Sequence, residues 1–271
     1  MSRLFMLIFG LFLCIRPLIC YADAPPVSFR AALDLWPFVA RESEAHLFDD
    51  VTFLPVAGEN APLARYTPNA RPTVEIGQNM RRYKREYIYL SSNQDMSTKP
   101  DFDQYMTVLM TLSLANESTH YLQDKNGSLK DFYKFYNKGQ LNNACALYSL
   151  QQHVSDIVML KIGMSMEQVF LGKGSVKGIN ALRIALEKND LRDEFEDFRN
   201  AMSRHDTQAL DDILRRIRTK RNDANMSGLN FCPPYGDAVL DDDIINRATE
   251  SAGYPFKEKK KSFLGKLIFN Q

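Results

Sequence analysis

The sequence predicts an α+β fold, rich in helix, with a small and mainly antiparallel sheet packed on one buried central helix. Three observations predict it. Residues 100–124, PDFDQYMTVLMTLSLANESTHYLQD, carry no charged side chain between Asp103 and Glu117, in a chain where 25% of residues are charged. Phe102, Tyr105, Leu109, Leu112, Asn116 and His120 recur there at helical spacing, and Thr107, Thr111 and Leu114 on the far side are uncharged, so this helix is buried most of the way round. Short runs of β-branched and aromatic residues precede it, and long amphipathic patterns follow it.

In chain order, residues 1–22 read as a secretory signal. Arg3 forms the positive start, LFMLIFGLFLCI the apolar run, and cleavage falls after Ala22, because Pro25 hinders cleavage after Ala24. A core of residues 23–170, a helical half over 171–256 and a basic amphipathic tail over 257–271 make up the rest. Residues 28–48 form a helix with Ser28 as its cap and Pro37 as a kink or break. Val51 to Val56 and Thr73 to Ile76 read as strands flanking a polar loop, and Arg85 to Ser91, REYIYLS, as a better one by its alternation.

The central helix starts at Pro100 with Thr98 or Asp101 as cap. A polar and aromatic connection spans Asp124 to Gly139, and Leu141 to Phe170 is a long helix with an apolar face through Leu147, Val154 and Ile157. The glycines of LGKGSVKG lack the preceding strand and the Lys-Ser/Thr pair of a phosphate cradle, and mark a helix-to-helix turn. Charged amphipathic helices follow over Lys177 to Lys188 and Asp190 to Arg221, then an extended FCPPY at 231–235. The tail, KEKKK with Phe263, Leu264, Leu267, Ile268 and Phe269, either docks on the protein's own body or makes peripheral contact with an anionic membrane through Lys257 to Gln271.

Charge and cysteine content narrow the functional classes. Loss of residues 1–22 removes Arg3 and Arg16 and no acid, leaving the chain within one charge of neutrality, which excludes nucleic acid as a general partner. Arg81, Arg82, Lys84 and Arg85 around Tyr83 read as the charged edge of a strand. Of the cysteines, Cys145 and Cys232 survive cleavage, and either pair in an oxidising compartment or stay separate thiols. The class of partner left is a protein or peptide of unspecified identity.

The chemistry-bearing stretch is Asn116-Glu117-Ser118-Thr119-His120. A zinc protease helix needs two imidazoles one turn apart, facing one metal, and a carboxylate beside the first to deprotonate the metal-bound water. Glu117 and His120 fit the carboxylate and the second imidazole, and Asn116 stands at the first. The order of YIYLSS, a polar turn, an apolar helix and LANESTHYLQD resembles the strand-turn-helix of zincin (gluzincin-like) metallopeptidases over residues 73–165. The resemblance implies a zincin-like core with Glu117 as general base, His120 as metal ligand and Gln123 as the polar residue one turn on. Where that family places a glutamate ligand on a second helix, NNACALYSLQQHVSDIV offers His153 and Asp156.

The cofactor implied is zinc, held by His120 with Asn116, His153 or Asp156. An amide oxygen is a weak neutral ligand beside imidazole, and ligand changes cost large factors in affinity, so loss of the metal is the expected outcome. The sequence thus leads to an exported, periplasmic or secreted protein that is a degenerate or atypical metallopeptidase, with a non-catalytic binding or structural protein as the competing class. A di-iron bundle would need a second Glu-x-x-His, which the chain lacks. Cys145 as a nucleophile activated by His153 is excluded by eight residues of helix, about 12 Å of rise.

Overall fold

The computed structural model describes residues 26–58, 61–206, 208–210, 212–213, 215–217 and 240–250. The signal segment, FCPPY, Cys232 and the basic tail lie outside the described residues. Helix α1, Val27–Val39, buries Phe29, Ala32, Trp36 and Val39 on one stripe, and a 3₁₀ turn, Glu42–Glu44, follows it. It starts at Pro26 without a side-chain cap, rather than at a Ser28 cap, and runs on past Pro37 for two residues. Trp36 is 2% exposed, donates its indole N–H to the Glu44 carbonyl at 3.0 Å and packs on Phe48 at 4.9 Å, as expected of a packing anchor.

Three strands follow, β1 Thr52–Val56, β2 Ala64–Thr67 and β3 Thr73–Gly77, in spatial order β1-β3-β2. β1 and β3 are parallel and β2 and β3 antiparallel, so the sheet is mixed rather than mainly antiparallel. The difference comes from β2, which the Pro- and Gly-rich loop conceals. Ala64 and Tyr66 are buried in it while Arg65 is exposed, and the crossover it creates brings β1 and β3 side by side in one direction. β1 is an outer edge, and Pro55 stands there. The bonds Thr52 N–H to Pro72 O (2.9 Å) and Gln78 N–H to Val56 O (3.1 Å) set the alternation that points position 55 away from β3. A residue without an N–H is tolerated there and blunts pairing with another chain.

The expected strand at 85–91 is instead part of helix α2, Arg81–Leu90. Tyr83 and Tyr87, four residues apart, are its two buried side chains, and that spacing outweighs the local alternation of Tyr and Ile. The central helix α3, Phe102–Lys125, is capped as expected by Asp101. Asp101 Oδ1 accepts from Gln104 N–H at 2.7 Å, and Gln104 Oε1 accepts from Asp101 N–H at 3.1 Å. Fourteen of its 24 residues are buried, because α1, α5, α6 and β2 all pack on it.

Residues 128–137, expected as a connection, form helix α4, Ser128–Asn137, after a left-handed Gly127 (φ 86°). Helix α5, Leu141–Gly172, matches the expected long helix, and α6, Val176–Lys188, is capped by Ser175 Oγ accepting from Gly178 N–H at 3.1 Å. The expected single helix over 190–221 is broken. Helix α7, Arg192–Arg204, ends where His205 takes a left-handed φ of 53°, and Asp206 then accepts from Ala209 N–H at 3.0 Å to start a new turn. Helix α8, Asp242–Glu250, closes a smaller apolar cluster of Leu147, Leu150, Val154, Leu240, Ile245 and Ala248. The main core runs from Phe29 to Ile217 through α1, the sheet and α2 to α7.

Asp101→Ala should cost about 1 kcal/mol by removing an N-cap, and Asp101→Asn a few tenths. Chemical denaturation of the two variants checks this ranking; equal losses would mean that the capping box does not secure the start of α3.

Candidate functional site

The C-terminal half of α3 carries Asn116, Glu117 and His120. Glu117 is 8% exposed, while Asn116 and His120, four residues apart on one line, are half-buried. Glu117 faces β2, where its Oε2 accepts the Tyr66 N–H at 2.5 Å. One and two turns further along the same stripe, Tyr121 packs edge-on against the Tyr66 ring at 5.8 Å, and Asp124 Oδ2 accepts from the Tyr66 hydroxyl at 2.7 Å. The sheet's edge strand is therefore fastened to α3 through one residue and three contacts.

His120 is held from both sides. Its Nδ1 lies 3.0 Å from Gln123 Oε1, and its Nε2 lies 3.2 Å from Gln152 Nε2 on α5. A carboxamide oxygen accepts and a carboxamide nitrogen donates, so Nδ1 carries the proton and the ring is neutral. Burial pushes the His120 pKa below its ordinary value, in keeping with that state, and the Gln123 bond opposes the shift only in part. Gln123, fully buried, extends the chain of bonds by donating to Gln151 O at 3.2 Å and Ala248 O at 3.4 Å. Gln151 donates in turn to Ser128 Oγ at 2.9 Å and Ser128 O at 3.0 Å.

Burial raises the Glu117 pKa to about 7, against the opposing pull of the Tyr66 N–H and of the nearby Arg65 charge. The Tyr148 hydroxyl, on α5, is pushed up by burial first and by the Glu117 charge second. The Asn116 Oδ1 atom is buried without a hydrogen-bond partner among the described residues. His153 and Asp156, 7% and 3% exposed, are three residues apart on α5. Among the described residues no three His, Cys, Asp or Glu side chains gather where they would hold one metal ion.

The zinc set expected from the sequence does not fit these surroundings. Both ring nitrogens of His120 are engaged by glutamine amides, and the carboxylate expected to act on a metal-bound water accepts a strand N–H. Sequence reasoning missed Tyr66, Tyr148, Gln151 and Gln152. The glutamine pair within the apolar face of α5 is a signal that buried polar partners wait across the interface; Tyr66, in a four-residue strand, gives none.

The raised Glu117 pKa makes a signed prediction. Between the ordinary value of 4.5 and about 7 the native state keeps a proton that the unfolded chain has released. The associated stability is full below the lower value and lost as pH rises through the upper one. Glu117→Gln keeps an acceptor for Tyr66 N–H without the charge, so it should be more stable than wild type by on the order of 2 kcal/mol at about pH 8, and close to wild type near pH 4. Denaturation of both proteins at the two pH values checks this; a variant weaker than wild type at both would show that the ionised carboxylate stabilises the fold.

Compared with protein-family models, with curated proteins and with solved structures, the chain has no significant match.

Proposed function

We propose that this is an exported, non-catalytic protein with a zincin-like core, a degenerate metallopeptidase that has lost its zinc site and works by binding a protein or peptide. The observation that carries the reading is the double engagement of His120 by Gln123 and Gln152, with Glu117 turned to the Tyr66 N–H. Each group that the reaction would require is spent on a contact that holds α3 to its neighbours. The helix that precedes α3 in place of a strand removes one part of the peptidase resemblance, so the motif residues themselves bear the kinship. Export rests on the signal-like start of the chain, Arg3 followed by the apolar run LFMLIFGLFLCI and a cleavage point after Ala22.

A second reading, a working metallohydrolase with unusual ligands, is favoured by one observation. Asn116 Oδ1 is buried and without a partner among the described residues, and an oxygen in that condition is what a cation would take up. The ligands would then be Asn116, His120 and His153 or Asp156, with Glu117 as base.

Metal analysis and peptide cleavage decide between them. The binding reading expects purified protein, dialysed against zinc and then against buffer, to hold far less than one zinc per chain. It also expects wild type and Glu117→Gln to be equally inert on a peptide library. One zinc per chain retained by both proteins, with cleavage lost only in Glu117→Gln, would establish the hydrolase instead.

A further inference from the structure

The cationic segment before α3 takes on a different meaning as a helix than as a strand. In a strand, Arg81, Arg82, Lys84 and Arg85 would divide between two faces. In α2, Arg81, Lys84, Arg85 and Ile88 fall on a single outer line, with Tyr89 beside Arg85, and all five are exposed. Ile88 is 56% and Tyr89 78% exposed, while Tyr83 and Tyr87 on the opposite side are buried. The helix has one acid, Glu86, which sits off that line and is already held by Arg82 at 3.1 Å and Lys188 at 3.4 Å. Arg81, Lys84 and Arg85 make no ion pair among the described residues.

A second feature of α2 points the same way. Its first turn contains no acid, and its N-cap, Met80, gives no side-chain hydrogen bond. Arg81 and Arg82 thus stand at the positive end of the helix dipole, where cations are disfavoured. Asn79 Oδ1 accepts from the Arg81 N–H at 3.1 Å, a neutral cap that leaves the two cations without an acid in that turn, and an external array of anions would offset their charge. The surface is a convex helical ridge about 10 Å long, from Arg81 to Ile88, without walls to enclose a small anion. Exposed Ile88 and Tyr89 find no counterpart on a phosphodiester backbone, but they suit the boundary between headgroups and acyl chains, where aromatic side chains with a polar tip reside.

We propose that the exposed face of α2 docks on an anionic lipid surface, with Arg81, Lys84 and Arg85 against headgroup phosphates and Ile88 and Tyr89 entering the interface. This is independent of the peptidase kinship, and it assigns a different segment from the basic tail over 257–271. The test is sedimentation of the full mature chain with phosphatidylcholine vesicles, with and without a third of phosphatidylglycerol. Wild type should sediment with the anionic vesicles alone, and added salt should weaken this by screening.

Arg81→Gln/Lys84→Gln/Arg85→Gln, with its helical content confirmed by circular dichroism, should lower the partition coefficient by on the order of a hundredfold, at about fivefold per cation. Ile88→Ser/Tyr89→Ser should keep the low-salt binding and lose the part that persists at high salt. A triple variant that partitions within about twofold of wild type, against that fivefold per cation, would assign binding to the tail and overturn the proposal. So would wild type that ignores the anionic lipid, or that binds duplex DNA through these residues in preference to vesicles.

Discussion

A carboxyl group kept almost out of water must have a donor at its oxygens, and for Glu117 that donor is the edge of the sheet. The Tyr66 N–H points away from β3, where it would otherwise be a buried orphan on an edge strand. Joining the two satisfies both, and it fixes where the three-stranded sheet lies against α3. Most other buried polar groups of the helix follow the same rule, the Tyr105 hydroxyl and Asn116 Oδ1 being exceptions. Thr111 returns its hydroxyl to Thr107 O at 2.8 Å, and Ser118 and Thr119 theirs to Ala115 O at 2.7 and 3.0 Å. A helix covered on every side tolerates polar residues where each closes its bond within reach.

That constraint also decides how the motif should be understood. Breaking the two amide bonds on His120 would cost about 1–3 kcal/mol for each buried group left unpaired. A complete tetrahedral zinc site is worth several times that, so the amides alone would not keep a metal out. The ligand set weighs more. With one imidazole and a neutral carboxamide at 116 in place of the second, and no group of three His, Cys, Asp or Glu side chains among the described residues, a metal would bind there weakly, and the hydrogen bonds are a strong competing use of these side chains. Gln123 of α3 and Gln152 of α5 meet at His120 and give both of its ring nitrogens a partner.

Local chemistry made much of this legible in the sequence, and long-range pairing hid the rest. The absence of charge between Asp103 and Glu117 announces α3, and of the two caps the sequence offers, Thr98 and Asp101, the structure uses Asp101. The closeness of Glu117 and His120 follows from helical spacing alone. Tyr66 lies 51 residues from Glu117, and Gln152 32 residues from His120, so no pattern in one segment could name the other. α2 was hidden for a different reason. Its ten residues satisfy both periods locally, and the burial of Tyr83 and Tyr87 settles the matter only once α3 and α6 are there to bury them. β2 and α4 are short and polar on one side, and such segments declare themselves by what they pack on.

The same polar network reaches the end of the described chain. Gln123 donates to Ala248 O, Asn126 Nδ2 donates to Arg247 O at 2.6 Å, and the Arg247 guanidinium donates twice to Asp131 Oδ2, at 2.6 and 3.0 Å. The apolar cluster beneath α8 is small, with Leu240, Ile245 and Ala248 its buried contributions from that end. Burial on that scale leaves little margin over the entropy of ordering a nine-residue helix. The polar contacts therefore set where α8 sits. Because Gln123 serves both His120 and Ala248, the side chain that neutralises the motif histidine also seats the last helix. The orientation of the His120 ring and the anchoring of α8 are in this way two consequences of one buried amide.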